Sequence, residues 1–145
     1  MGPLEEQQAI NAIASSLPRF FPEDWKAAIY HVRIMGLCME EYIEVEKEAG
    51  GIIRTELPVD SGMKCMKLRA GMFRENQGTW FSFDLKLWSN GKYRSEFNYE
   101  DPPNLLFGVN LREYTRDVRI FPRTEEFTPT WLREKLEEAN SARGG

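Results

Sequence analysis

Few residues in this chain have the chemistry to act as catalysts or ligands. His31 is the single histidine, and Cys38 and Cys65 are the only cysteines. A lone imidazole can serve as a general base, but it needs an orienting partner that the sequence does not display; the ordinary reading is structural. A metal site needs a second histidine or cysteine at ligand spacing, and none is present, so no metal is expected. Neither cysteine sits in a Cys-x-x-Cys pair, and both read as reduced core or near-core residues. Gly50-Gly51 and Gly108 are isolated rather than part of a phosphate-cradling loop. Ser61 and Ser89 read as a helix cap and a turn residue. The expectation is no catalytic set and no cofactor.

Carboxylates are the remaining chemical option. Asp84 and Glu96 fall on the non-core face of a hairpin, with Glu100 and Asp101 close behind. Two carboxylates can share acid and base roles when their surroundings push their pKa values apart. A solvated polar face is the ordinary alternative. Between Met39 and Ala49 stand Glu40, Glu41, Glu44, Glu46 and Glu48 against the single base Lys47. Such clusters protect strand edges or meet a basic partner, where complementary charge speeds encounter. Trp80 and Trp88 alternate onto the hairpin face opposite the expected core, which suggests a covering helix or a protein-binding surface. The expected partner-contacting set is therefore Glu44, Glu46, Trp80, Asp84, Trp88, Glu96, Glu100 and Asp101.

Bulk properties narrow the class. The 145 residues suit one domain over 1–145, with fraying expected at 1–3 and 140–145. Hydrophobic residues form 41% of the chain, enough for one core. A net charge of −4 and a pI near 5.2 argue against direct nucleic-acid binding. No apolar run approaches a membrane span, and Glu5 and Glu6 stand where a secretory signal would be apolar. Glu6 also replaces the Ser/Thr of a myristoylation site. The expected address is cytoplasmic, with no membrane partner.

These side chains must be positioned by elements that the spacing predicts. Leu4 to Leu17 reads as a helix ended by Pro18, and Pro22-Glu23-Asp24 as the first turn of a short second one reaching Ala28. Tyr30 to Met35, Tyr42 to Lys47 and Ile52 to Leu57 alternate as strands, with a turn at Gly36–Cys38 and a break at Gly50-Gly51. A helix runs from Asp60 or Ser61 to about Glu75, burying Met63, Met66, Leu68 and Met72. Thr79–Trp88 and Lys92–Glu100 form a hairpin around Ser89-Asn90-Gly91. A two-residue loop would set Leu87 against Arg94 and bury charge. A three-residue loop with Gly91 in the left-handed region sets Leu87 on Tyr93, Leu85 on Ser95, Phe83 on Phe97 and Phe81 on Tyr99, and is the predicted register. Leu111–Ile120 and a segment opened by Thr128-Pro129 are the last helices. The fold class is α+β: an antiparallel sheet of four to five strands built from hairpins, packed on one face by helices.

Three segments together resemble the YezG-like family of bacterial immunity proteins, the antitoxins of polymorphic toxin systems. They are Phe21-Pro22-Glu23-Asp24-Trp25; then Gly78-Thr79-Trp80-Phe81 with Gly91-Lys92-Tyr93 and Glu96-Phe97-Asn98-Tyr99-Glu100-Asp101-Pro102; and Tyr114-x-x-Asp117 before Phe121-Pro122-Arg123 and Pro129-x-Trp131-Leu132. The likeness spans roughly residues 20 to 132. It implies a non-enzymatic inhibitor that binds and blocks a cognate toxin domain inside the producing cell. Many such toxins are nucleases with basic clefts, which an acidic inhibitor can fill as a phosphate mimic. A small enzyme using Asp84, Glu96 or His31, and a homodimer formed through the Trp80 and Trp88 face, are the alternatives.

Overall fold

Apolar side chains at every second position from Ala28 to Ile34 make the central strand, and everything else is arranged around it. The computed structural model describes residues 1–144. Its elements are α1 (Pro3–Ser16), β1 (Trp25–Met35), β2 (Cys38–Lys47), β3 (Ile52–Arg54), α2 (Ser61–Gly71), β4 (Ser82–Trp88), β5 (Tyr93–Asn98), α3 (Leu111–Ile120) and α4 (Thr130–Gly144). The five strands form one antiparallel sheet in the order β3-β2-β1-β4-β5. The expected α+β class and hairpin-built sheet are therefore present.

Ala28, Tyr30, Val32 and Ile34 of β1, Ile43 and Val45 of β2, and Phe83, Leu85 and Leu87 of β4 share one face. Onto it pack Ile10, Ile13 and Ala14 from α1 with Leu17 just after it, and Cys65 and Leu68 from α2 with Met72 just after it. The hairpin adopts the three-residue loop: Leu87 pairs with Tyr93, Leu85 with Ser95 and Phe83 with Phe97, while Gly91 takes φ +89°. The stacked rings of Phe83 and Phe97 lie 4.6 Å apart.

The fourth expected pair, Phe81 on Tyr99, does not form. The Phe81 N–H donates to the Asn98 carbonyl at 2.7 Å although Ser82 is the registered partner of Asn98. Two residues thus oppose one, a β-bulge, and the alternation breaks there. Trp80 is consequently folded back against Phe83 and Phe97 and is 0% exposed. The expectation of an outward-facing Trp80 is corrected: it is a core residue.

Other local expectations are displaced by tertiary pairing. The Pro22 segment is a turn rather than a helix, because Trp25 already pairs with Lys47 and the ladder wins over the local helix signal. Strand β2 begins at Cys38 instead of Tyr42, since a tight turn at Gly36-Leu37, with Gly36 at φ +62°, lets Met35 pair directly with Cys38. Strand β3 stops at Arg54, and α2 stops at Gly71, before a tight turn in which Arg74 pairs with Gly78 and Asn76 takes φ 70°. Met63 is exposed rather than buried. Helix α4 continues past Asn140 through Gly144, where fraying is predicted, and its own Ala139 is buried; Gly145 lies outside the described residues.

Helices α3 and α4 do not join the α1–α2 layer. They cap the end of the sheet, where Leu132 closes over Met35 and Phe81 beside Trp131, Val118 and Leu136. One ion pair ties the two packing units together. Arg69 of α2 donates to both Asp117 oxygens of α3 at 2.6 and 3.0 Å and to the Trp80 carbonyl at 2.7 Å. Asp117 also accepts the Gly36 N–H at 3.0 Å, and neighbouring Glu113 accepts the Leu37 N–H at 3.1 Å. A second polar cluster sits under α2: Ser61 donates to Glu41 at 2.6 Å, and Tyr30 donates to Glu41 at 3.1 Å and touches Cys65 at 3.3 Å. Burial pushes the Cys65 thiol up to about 12 and raises Tyr30 as well, so neither supplies an anionic nucleophile near neutral pH.

Removing one member of a buried, doubly hydrogen-bonded pair strands the other's charge. Asp117→Ala should cost about 3–5 kcal/mol in urea unfolding, and replacing Arg69 and Asp117 together by Met and Leu should restore most of that loss.

Candidate functional site

The face of the sheet opposite α1 and α2 is covered at its Met35 end, where Leu132 of α4 closes over it, and is open along the rest of the described strands, where the registers dictate what it displays. Reading across from β2 to β5, one row is Glu44, Ile29, Lys86, Arg94, with Arg54 of β3 beyond Glu44. The next row is Tyr42, His31, Asp84, Glu96, and the last is Glu40, Arg33, Ser82, Asn98. At the other end Ile52, Glu46, Ala27 and Trp88 complete the lattice.

His31 lies at the centre and holds the rows together. Its Nδ1 is 2.8 Å from Asp84 Oδ1, its Nε2 is 3.1 Å from Glu44 Oε1, and its ring stacks on Tyr42 at 4.5 Å. Carboxylates only accept, so with protons on both nitrogens the ring donates to both neighbours. Its side chain is only 15% exposed. Arg33 adds a donor to Asp84 at 3.0 Å, and Arg54 lies 4.4 Å above the Tyr42 ring. Burial works to raise the Asp84 pKa, but hydrogen bonds and charge from His31 and Arg33 outweigh it and hold the carboxyl below its usual range.

Five of the eight expected contact residues meet here: Glu44, Glu46, Asp84, Trp88 and Glu96. Trp80 is in the core. Glu100 and Asp101 lie past the end of β5, with the Glu100 carbonyl accepting the Trp131 indole N–H at 2.6 Å. Glu100 instead borders a hollow of about 440 Å³ with Arg74, Tyr99, Arg123 and Phe127. On the open face the concavity lined by Ala27, Ile29, Glu44, Glu46, Ile52 and Lys86 is about 120 Å³.

The face is not acidic overall. Glu46 reaches Lys26 at 3.8 Å and Glu96 reaches Arg94 at 3.3 Å, while Asp84 and Glu44 are engaged by His31. Sequence reasoning counted the glutamates and missed their neighbours. Arg33 and Tyr42 were legible as same-face residues of their strands, and Lys86 and Arg94 share the parity of Asp84 and Glu96. No residue triad here suits a metal: the two carboxylates approach opposite ring nitrogens, and among the described residues no such cluster converges. Among the described residues no helix is long and apolar enough to cross a membrane. No protein-family model matches the chain, and no curated protein matches it.

Because the folded Asp84 titrates below its unfolded counterpart, its stabilising contribution is complete above the ordinary carboxylate range of about 3.9 and disappears as pH falls through the lower folded value. Urea unfolding of wild type and Asp84→Asn should accordingly differ at pH 7, with the gap closing below about pH 4. A gap that stays constant down to pH 2 contradicts the ionic role.

Proposed function

We propose that the chain is a non-enzymatic immunity protein that binds and neutralises a cognate bacterial toxin domain in the cytoplasm through the open face of its sheet. The observation that carries this reading is a sheet face that, beyond the α3–α4 cap at its Met35 end, is left open as an ordered lattice of hydrogen-bonded charges and half-buried rings. Pre-arranged polar groups limit the entropy lost on docking, which favours binding over mere solubility. The likeness of the Gly78–Pro102 hairpin region to YezG-like proteins supports the same reading. Mixed charge changes one part of the expectation: recognition rests on matched positive and negative positions, and phosphate mimicry is not part of the proposal.

The His31–Asp84 contact favours a second reading, a small carboxylate-dependent enzyme, since an imidazole oriented by a carboxylate is a general-base arrangement. Glu44 at the other ring nitrogen occupies the place where a substrate proton would have to arrive.

The test is to look beside this chain's gene for one encoding a secreted protein with a C-terminal toxin domain, and to purify the chain with that domain. A stoichiometric complex with suppressed toxin activity is expected. Ile29→Arg, at the middle of the face, should weaken it by about 2 kcal/mol, roughly 30-fold in Kd. No complex, or a turnover by the chain alone that His31→Asn abolishes, overturns the proposal.

A further inference from the structure

The loop joining β5 to α3 hides some apolar side chains and displays others. Pro103 is buried, and Leu105 and Val109 pack against the cluster at the sheet end. Between them Leu106 is 73% exposed and Phe107 is 78% exposed. The backbone that carries them is held in place. The Leu106 and Phe107 N–H groups donate to the two oxygens of Glu40 at 2.9 and 3.0 Å, and Glu40 stands on the open face opposite Arg33. Hydrogen bonds to an ionised carboxylate are the stronger kind, and two on consecutive residues fix the tip of a loop. Leu37, 63% exposed in the β1–β2 turn, is held at the same end by the Glu113 carboxylate. Scattered exposed leucines are ordinary, whereas adjacent large side chains displayed on a clamped backbone have the character of a binding hot spot.

The lattice beside this tip has its own unresolved charge. Lys86 lies directly opposite Arg94, and Asp84 directly opposite Glu96. Like charges facing across a ladder are destabilising. Asp84 is relieved by His31 and Arg33, and Glu96 by Arg94. Lys86 makes no ion pair among the described residues and rests 5.1 Å from the Trp88 ring. It is the position at which a complementary carboxylate would add most. The Glu40 and Lys86 rows are four residues apart, about 14 Å along the strands. Both fit within one interface of about 800 Å² per side.

We infer that Leu106 and Phe107 are the apolar anchor of the toxin-binding surface, and that the partner is a different folded protein offering an apolar pocket at the anchor and carboxylates over Lys86 and Arg94. This rests on the binding function proposed above and specifies its chemistry.

The experiment uses the same candidate toxin domain, with binding kinetics measured for wild type, Phe107→Ala, Lys86→Glu and Leu4→Ala. Leu4 is an exposed leucine on α1, on the covered side, and serves as the control. Expected are at least tenfold weaker binding for Phe107→Ala, mainly through faster dissociation, and slower association for Lys86→Glu at low salt. Leu4→Ala should match wild type, and circular dichroism should be unchanged throughout. Tight wild-type binding that Phe107→Ala and Lys86→Glu leave intact overturns this inference while the immunity reading stands. No wild-type binding overturns both. A dimer of the chain alone that Phe107→Ala dissociates in sedimentation makes a second copy the occupant, and also overturns it.

Discussion

The Arg69–Asp117 ion pair is the interaction that the remaining architecture leans on. It is buried at both ends and fully furnished with partners: the guanidinium meets a carboxylate and the Trp80 carbonyl, and the carboxylate meets two guanidinium nitrogens and the Gly36 N–H. Desolvating two charges is costly unless such partners are supplied, and here they come from α2, α3, the β1–β2 turn and the segment leading into β4. Four pieces distant in sequence are thereby fixed by one contact. The helical cap and the sheet core, which otherwise have separate apolar clusters, become one framework.

That framework explains why the bare face can be both polar and ordered. The apolar contacts lie on the far side and at one end, so the exposed lattice is free of the hydrophobic packing that holds the sheet together. Its side chains are arranged instead by the ladder, with β1 as the shared centre. His31 interlocks β2 and β4 through Glu44 and Asp84, and the tip of the β5–α3 loop is drawn in by Glu40. Binding surfaces on rigid scaffolds need this combination of geometric definition and solvent access.

The parts of the fold that were legible in the sequence are those set by local periodicity. Alternation identified β1 and the β4–β5 hairpin, and the penalty for burying Arg94 and Glu96 chose its register. What alternation could not foresee is a change of phase. One extra residue at Phe81 and Ser82 reversed the side on which Trp80 falls, so a tryptophan that counting placed outside is in the core. The helix expected after Pro22 failed for a related reason: a proline followed by acids is a fair helix start, but a long partner strand outcompetes a single turn. The candidate site was half visible. Glu44, Glu46, Asp84, Trp88 and Glu96 share the face that parity assigns them, whereas the cross-strand neighbours that engage Glu44, Glu46 and Asp84 depend on the order of strands, which no local pattern encodes. The clamp between Glu40 and residues 106–107 joins positions 66 and 67 residues apart and left no local trace.

Gly36 stands where the β1–β2 turn meets α3. Its left-handed backbone turns β1 into β2, and a methyl group there would stand 2.7 Å from the Glu113 carbonyl of α3. Helix and turn are therefore seated against each other with no slack for even the smallest side chain. Any drift at this position would lift α3 and carry the adjoining 101–110 loop with it, so a surface residue far from the mutation would lose its place. The glycine works as a spacer of zero thickness, coupling the tolerance of a tight turn to the positional accuracy of a distant aromatic ring.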